Sequence, residues 1–139
     1  TFPAIERAKL WERLIFNFLI GNEDMHLKNY SVITREGKTE MSPAYDLLNT
    51  TIALKFAAEE SALPLAGKKS KLRSKDWIDY LAYDRLQLNK VIVKKTLDRL
   101  QRCLMPWQTL IQKSFMGSDI KKAYGQLLAV RAKVMGLAS

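Results

Sequence analysis

Apolar residues near the start of the chain recur at helical spacing. Leu10, Leu14 and Phe18 stand four apart, Trp11, Ile15 and Leu19 lie beside them, and Glu6, Arg7, Lys9, Glu12 and Arg13 fill the opposite face. This pattern predicts an amphipathic helix over residues 3–20. Pro3 suits its first turn, where a missing N–H costs nothing, and Gly21-Asn22 supplies a stop. The run from Asn22 to Lys28 is too polar to continue the helix. Tyr30 to Thr34 then favours a strand, Arg35 to Lys38 a turn, and Thr39 to Met41 a short return strand, after which Ser42-Pro43 turns the backbone away from helix.

Residues 44–70 are the least periodic, with short extended pieces expected around Ala53 to Phe56 and Ala62 to Leu65. Helical spacing returns over 75–83 behind a Ser74 cap, and over 86–104 with Val93, Leu97, Leu100 and Leu104 on one face. A short helix is expected near 106–115, and another over 119–135 behind a Ser118 cap, with Ile120, Tyr124, Leu127 and Leu128 inward. The predicted core is Trp11, Leu14, Phe18, Leu97, Leu100 and Leu127. The fold class is mainly α with a small β-hairpin.

Composition narrows the class further. Of 139 residues, 47% are hydrophobic and 27% charged, which describes a folded domain rather than a disordered chain. The single Cys103 excludes an intrachain disulfide framework and any multi-cysteine metal site. No run is long enough to span a bilayer and the opening lacks signal-peptide features, so a cytoplasmic location is expected. Thr1 opens almost directly into a helical pattern, and the chain is expected to be a fragment of a longer protein. Charge is uneven: residues 1–70 hold 9 Lys/Arg and 9 Asp/Glu, whereas 71–139 hold 14 and 5, so the whole formal +9 lies in the second half. These cations are scattered, which suits a solvated helical surface or a face that meets an acidic partner or nucleic acid.

The polar segment carries the chemistry. Asp24, His26, Lys28 and Asn29 fall within six residues, and Asp46 follows Asn29 by 17. Carboxylates and an amide carbonyl are ligands for a hard cation such as magnesium, while a lone histidine has no partner for a soft-metal site. Phosphoryl transfer asks for a carboxylate to accept the proton of an attacking hydroxyl, a cation near the phosphate, and an Asn and an Asp for the metal. Asp24, Lys28, Asn29 and Asp46 supply that inventory, and the five-residue interval from Asp24 to Asn29 matches a kinase catalytic loop. The same residues also suit a structural role, with Asn22 and Asp24 capping turns, Lys28 solvated, and Asp46 capping a helix from Leu47.

Three ordered motifs favour the first reading. Asn22-Glu23-Asp24-Met25-His26-Leu27-Lys28-Asn29-Tyr30-Ser31, Met41-Ser42-Pro43-Ala44-Tyr45-Asp46-Leu47-Leu48, and the stretch from Ala62 to Lys69 and on to Trp77 together resemble the C-terminal region of HipA-like serine/threonine kinases. The resemblance implies a kinase-like C-terminal helical lobe, spanning 1–139, whose small hairpin region carries the catalytic and metal-binding segments. It implies Asp24 as catalytic base, Lys28 near the transferred phosphate, and Asn29 and Asp46 as magnesium ligands, with ATP as phosphate donor. His26 is assigned to loop architecture and Tyr45 to packing that positions the Asp46 segment.

Further implications are a protein substrate, with aminoacyl-tRNA synthetases among those of the family, and a helix-turn-helix antitoxin partner. No phosphate-covering loop or ATP-gripping lysine precedes Asp24, so the N-terminal lobe is expected elsewhere, in the same or a companion chain. Gly67-Lys68-Lys69 is read as a turn rather than a phosphate loop. The alternative to catalysis is a basic helical module that binds a partner protein or nucleic acid.

Overall fold

The computed structural model describes residues 2–54 and 59–138. Helix α1 (Pro3–Ile20) has the predicted bounds and ends in a Schellman turn. Gly21 adopts φ +80°, and the N–H groups of Gly21 and Asn22 return to the carbonyls of Phe18 and Asn17. Glycine is required there twice over. A Cβ at Gly21 would be strained by the left-handed backbone, and it would lie 2.6 Å from Leu127 Cδ2 and 2.9 Å from Thr51 Oγ1.

A single 3-10 turn (Leu27–Asn29) leads to strands β1 (Val32–Arg35) and β2 (Lys38–Met41), an antiparallel pair with Arg35 opposite Lys38. The two linking residues, Glu36 and Gly37, both have positive φ, the type I′ geometry that matches strand twist. The hairpin is tied to α1 where Glu6 Oε2 accepts the Met41 N–H at 2.7 Å. That bond, aided by Lys9, holds the Glu6 carboxyl below the ordinary carboxylate range.

Helix α2 (Thr50–Ala53) is one turn, capped by the Asn49 side chain on the Ile52 N–H. Ala53 is therefore helical rather than extended, and residues 55–56 of the expected piece lie outside the described residues. The piece expected at 62–65 reduces to a bridge between Leu65 and Lys68 around Ala66-Gly67, both at positive φ.

The chain is helical again from Ser74, but residues Asp76–Arg85 form a π-helical segment. Ser74 is not its cap. Asp76 reaches back to accept the Arg73 N–H at 2.8 Å, as the acidic member of a capping box does. Helix α3 (Lys90–Lys113) starts at an Asn89 cap and runs straight through Pro106, merging the two helices expected at 86–104 and 106–115. The proline removes one N–H from the ladder, but Arg102, whose carbonyl loses it, is solvent-exposed, so water can replace the bond. Beyond the proline, Trp107 packs edge-on against Phe16 at 5.4 Å and Ile111 is buried, which anchors the continuation. Helix α4 (Ser118–Val134) begins at Ser118 itself, after Gly117, without a side-chain cap.

Helix α1 is the central element, packed on α4, α3 and the π-helical segment. Trp11, Leu14, Ile15, Phe18 and Leu19 meet Trp77, Ala82, Leu100 and Leu128 in one apolar cluster. Trp11 Nε1 donates to the Trp77 carbonyl at 2.9 Å, and the Phe18 and Trp77 rings lie 4.9 Å apart. Of the predicted core, Trp11, Leu14, Phe18 and Leu100 are buried, whereas Leu97 and Leu127 are half-buried. Ile120, expected inward, is exposed on the first turn of α4. No helix among the described residues is long and apolar enough to cross a membrane.

Candidate active site

The Schellman turn throws the chain off α1 at Asn22, and everything expected to act chemically lies within the next 25 residues or so of chain. Asn29, buried on the 3-10 turn, is the meeting point. Its Nδ2 donates to Asp46 Oδ2 at 2.7 Å and to the backbone carbonyl of Asp24 at 3.3 Å. The two expected metal residues are thus in direct contact, and the backbone of the expected base abuts them. The Asp24 carboxylate itself points outward. Its side chain is 61% exposed, and its Oδ1 lies 3.1 Å from His26 Nε2.

Asp46 is exposed and adopts φ +56°, a left-handed conformation uncommon for a residue with a Cβ. Aspartate tolerates it better than most, and its backbone carbonyl is held by Asn22 Nδ2 at 2.9 Å. Lys28 is exposed on the same turn. Tyr45, half-exposed, stands between the two segments, its hydroxyl 3.4 Å from the Lys28 carbonyl and from Ser31 Oγ. Ser31 and Ser42 share a 2.8 Å hydroxyl contact, and Arg13 of α1 donates to the Ser42 carbonyl at 2.7 Å. Burial pushes the neighbouring Tyr30 hydroxyl up to about 12.

The donor set fits magnesium better than zinc. Among the described residues no group of three or more His, Cys, Asp or Glu converges, so an all-protein cage is lacking. Asp46 offers a carboxylate and the adjoining Asn29 an amide, whose Nδ2 faces Asp46 and whose Oδ1 is the atom that would bind a metal; this sparse set suits a cation that keeps waters and takes its remaining ligands from phosphates. Gly67-Lys68-Lys69 stands apart from this chemistry, since Lys68 pairs with Asp76 and Lys69 with Glu59, each at 3.1 Å.

The family described as HipA-like C-terminal domain matches residues 2–107. The chain belongs to that family. This HipA-like domain is 36% identical over 110 residues to a candidate kinase of Sinorhizobium fredii, covering 73% of the chain and 25% of the relative. A second candidate kinase of that organism is 44% identical over 48 residues, covering 34% of the chain and 11% of that protein. One from Haemophilus influenzae is 24% identical over 144 residues, with 90% and 42% covered. The chain therefore spans less than half the length of each of these relatives.

Among solved structures, the HipA-like domain resembles the Shewanella oneidensis toxin-antitoxin complex of HipA, HipB and operator DNA. The TM-score is 0.70 at 22% identity, over 93% of this chain and 32% of that one. This likeness supports the mainly α fold with its small hairpin.

Several supporting residues of the HipA-like domain escape a reading of sequence alone. Asn17 and Asn22 lie buried beneath the loop, with Asn22 Nδ2 donating to Asn17 Oδ1 at 2.9 Å. The turn-capping read for Asn22 is present, since its Oδ1 accepts the Asp24 N–H at 3.2 Å, but its tie to Asn17 has no signal beyond two asparagines near the glycine that ends an apolar helix. Arg131 of α4 is also buried. It donates to the Phe18 carbonyl at 2.6 Å and to Glu23 Oε1 at 3.3 Å, with its guanidinium 5.0 Å from the centre of the Phe18 ring. Burial pulls its pKa down and the Glu23 carboxylate opposes that shift. Nothing in the sequence links Arg131 to residues more than a hundred positions earlier.

Proposed function

We propose that this chain is the C-terminal lobe of a HipA-like kinase that transfers the γ-phosphate of ATP to a serine or threonine of a protein substrate. The ATP-gripping N-terminal lobe is then supplied by the same or a companion chain, and the protein works beside a helix-turn-helix antitoxin. The observation that carries the reading is the Asn29–Asp46 contact at 2.7 Å, made across 17 residues and closed against the backbone of Asp24. A left-handed aspartate held in place by buried asparagine is the kind of local strain that folds retain at functional sites.

In this reading the exposed Asp24 carboxylate orients the incoming hydroxyl and accepts its proton as the oxygen bonds to the γ-phosphorus and ADP departs. Lys28 offsets charge on the phosphoryl group in flight. Asn29 and Asp46 would hold magnesium, which when bound offsets the charge of the phosphates.

Three variants of the complete protein separate these roles. Asp24→Asn is expected to abolish phosphorylation while leaving Mg2+–ATP binding nearly intact, because the amide fills the same space without accepting a proton. Asn29→Ala and Asp46→Ala should weaken calorimetric Mg2+–ATP binding as well as turnover, Asp46→Ala more severely because it removes a charge facing the cation. Undiminished turnover in Asp24→Asn, or undiminished binding in Asp46→Ala, would refute the assignment.

A further inference from the structure

We infer that Asn22 is a positioning residue that sets the Asp24 and Asp46 segments relative to each other, an inference that rests on the kinase reading above. Its side chain is buried, and each end of the amide is committed to a different segment. Asn22 Oδ1 accepts the Asp24 N–H at 3.2 Å, closing a turn on the residue two positions ahead. Asn22 Nδ2 donates to the Asp46 carbonyl, 24 residues away, at 2.9 Å, and to Asn17 Oδ1 on α1 at 2.9 Å. The amide thereby references both segments to the rigid end of α1. Asn17 is itself fixed, since its Nδ2 donates to the Arg13 carbonyl at 2.9 Å.

The Asp46 bond matters most. Asp46 sits at φ +56°, and relaxation toward the favoured negative-φ regions would swing its carboxylate away from Asn29. Asn22 grips the carbonyl of that same residue, so loss of the bond frees the backbone that aims the carboxylate. Asn22 touches neither carboxylate, and its influence passes through backbone. Outer residues of this kind govern ligand orientation at metal sites as strongly as many ligands do.

Two substitutions divide the two ends of the amide. Asn22→Ser keeps a short oxygen able to accept the Asp24 N–H but cannot reach the Asp46 carbonyl, whereas Asn22→Ala loses both. In the complete protein, Asn22→Ser should raise the calorimetric Kd for Mg2+–ATP about tenfold, with kcat at saturating Mg2+ largely retained. Asn22→Ala should raise that Kd similarly and also lower kcat. Leu100→Ala, a core truncation on α3, serves as the stability control and should lower Tm without moving the Kd.

Binding in folded Asn22→Ser and Asn22→Ala proteins that equals wild type, or a Kd raised as much by Leu100→Ala, overturns the inference while leaving the kinase reading intact. Wild-type protein that binds no Mg2+–ATP overturns both. A variant-free measurement covers misfolding: the Asn22 side-chain amide resonances should shift when Mg2+–ATP is added to wild type, and unmoved resonances count against the assignment.

Discussion

The segment from Gly21 to Asn49 and the helical half from Lys90 onward are both fastened to α1, but by different forces. The helices bring apolar volume: Val93, Leu100, Ile111, Leu128 and Ala132 are buried against Trp11, Ile15, Phe18 and their neighbours. The loop segment buries little hydrocarbon beyond Met25, and its other buried side chains are Asn22, Asn29 and Ser42, each engaged in directional hydrogen bonds. A packed apolar face tolerates shape-preserving exchange and resents lost volume, whereas a hydrogen-bonded loop responds to loss of single polar atoms. The same α1 thus supports an apolar body along its length and a hydrogen-bonded polar loop at its end.

The sharpest challenge to this contrast is Phe18→Ala. Phe18 is buried against Trp77 and Arg131, so its truncation should cost about 3–5 kcal/mol, read by denaturant unfolding. A loss below 1 kcal/mol would mean that the core does not depend on this ring.

Next in size is Gly21→Ala, placed where the two regions join. The left-handed backbone costs about 1–2 kcal/mol and crowding against Leu127 and Thr51 about 1–3 more, so Tm should fall well beyond the effect of a surface substitution. The loop should suffer too, because Gly21 O accepts the N–H groups of Thr50 and Thr51.

A smaller effect is expected at Asp76, a polar tie on the π-helical segment that lies between the two regions in the chain. Burial alone raises this carboxyl, but the Arg73 N–H and Lys68 ammonium together hold it below the ordinary carboxylate value. The unfolded chain therefore takes up the proton first as pH falls. The stabilisation is complete above the unfolded value near about 4 and is lost on descending through the lower folded value. Asp76→Ala should cost about 1 kcal/mol at neutral pH, through its lost capping bond, and flatten the acid limb of a stability–pH profile followed by circular dichroism. The smallest effect belongs to Lys94→Ala, whose exposed pairing with Asp98 along α3 should change stability by no more than about 0.5 kcal/mol.

The legibility of this chain in its sequence follows the same division. Helix α1, its glycine stop and the hairpin were readable because periodicity, a left-handed glycine and a tight turn are local causes. The continuity of α3 was not, because Pro106 signals a break locally and the packing of Trp107 and Ile111 that overrides it is tertiary. The π-helical form of Asp76–Arg85 leaves no trace in the residue spacing, and neither serine expected as a cap serves as one: the Asp76 carboxylate takes the Arg73 N–H at the first, and α4 opens at Ser118 without a side-chain cap. At the site, residue types and intervals named Asp24, Lys28, Asn29 and Asp46. The Asn29–Asp46 contact, the Asn22 bridge and the Arg131 anchor each depend on side chains brought together across the fold.

The Arg131 anchor has a consequence for the order in which the molecule takes shape during synthesis. The carbonyl it donates to, on Phe18, lies 113 residues earlier, and the Glu23 it pairs with adjoins Asp24. At about 5–20 residues per second, ribosomes need on the order of ten seconds to polymerise that interval. Throughout it the nascent α1 lacks the α4 surface that covers Phe18, and the loop bearing Asp24 lacks the cation that neutralises Glu23. The first part of the site to be translated is therefore among the last to be secured, so translation leaves a long window in which the emerging chain cannot hold its site in the finished form.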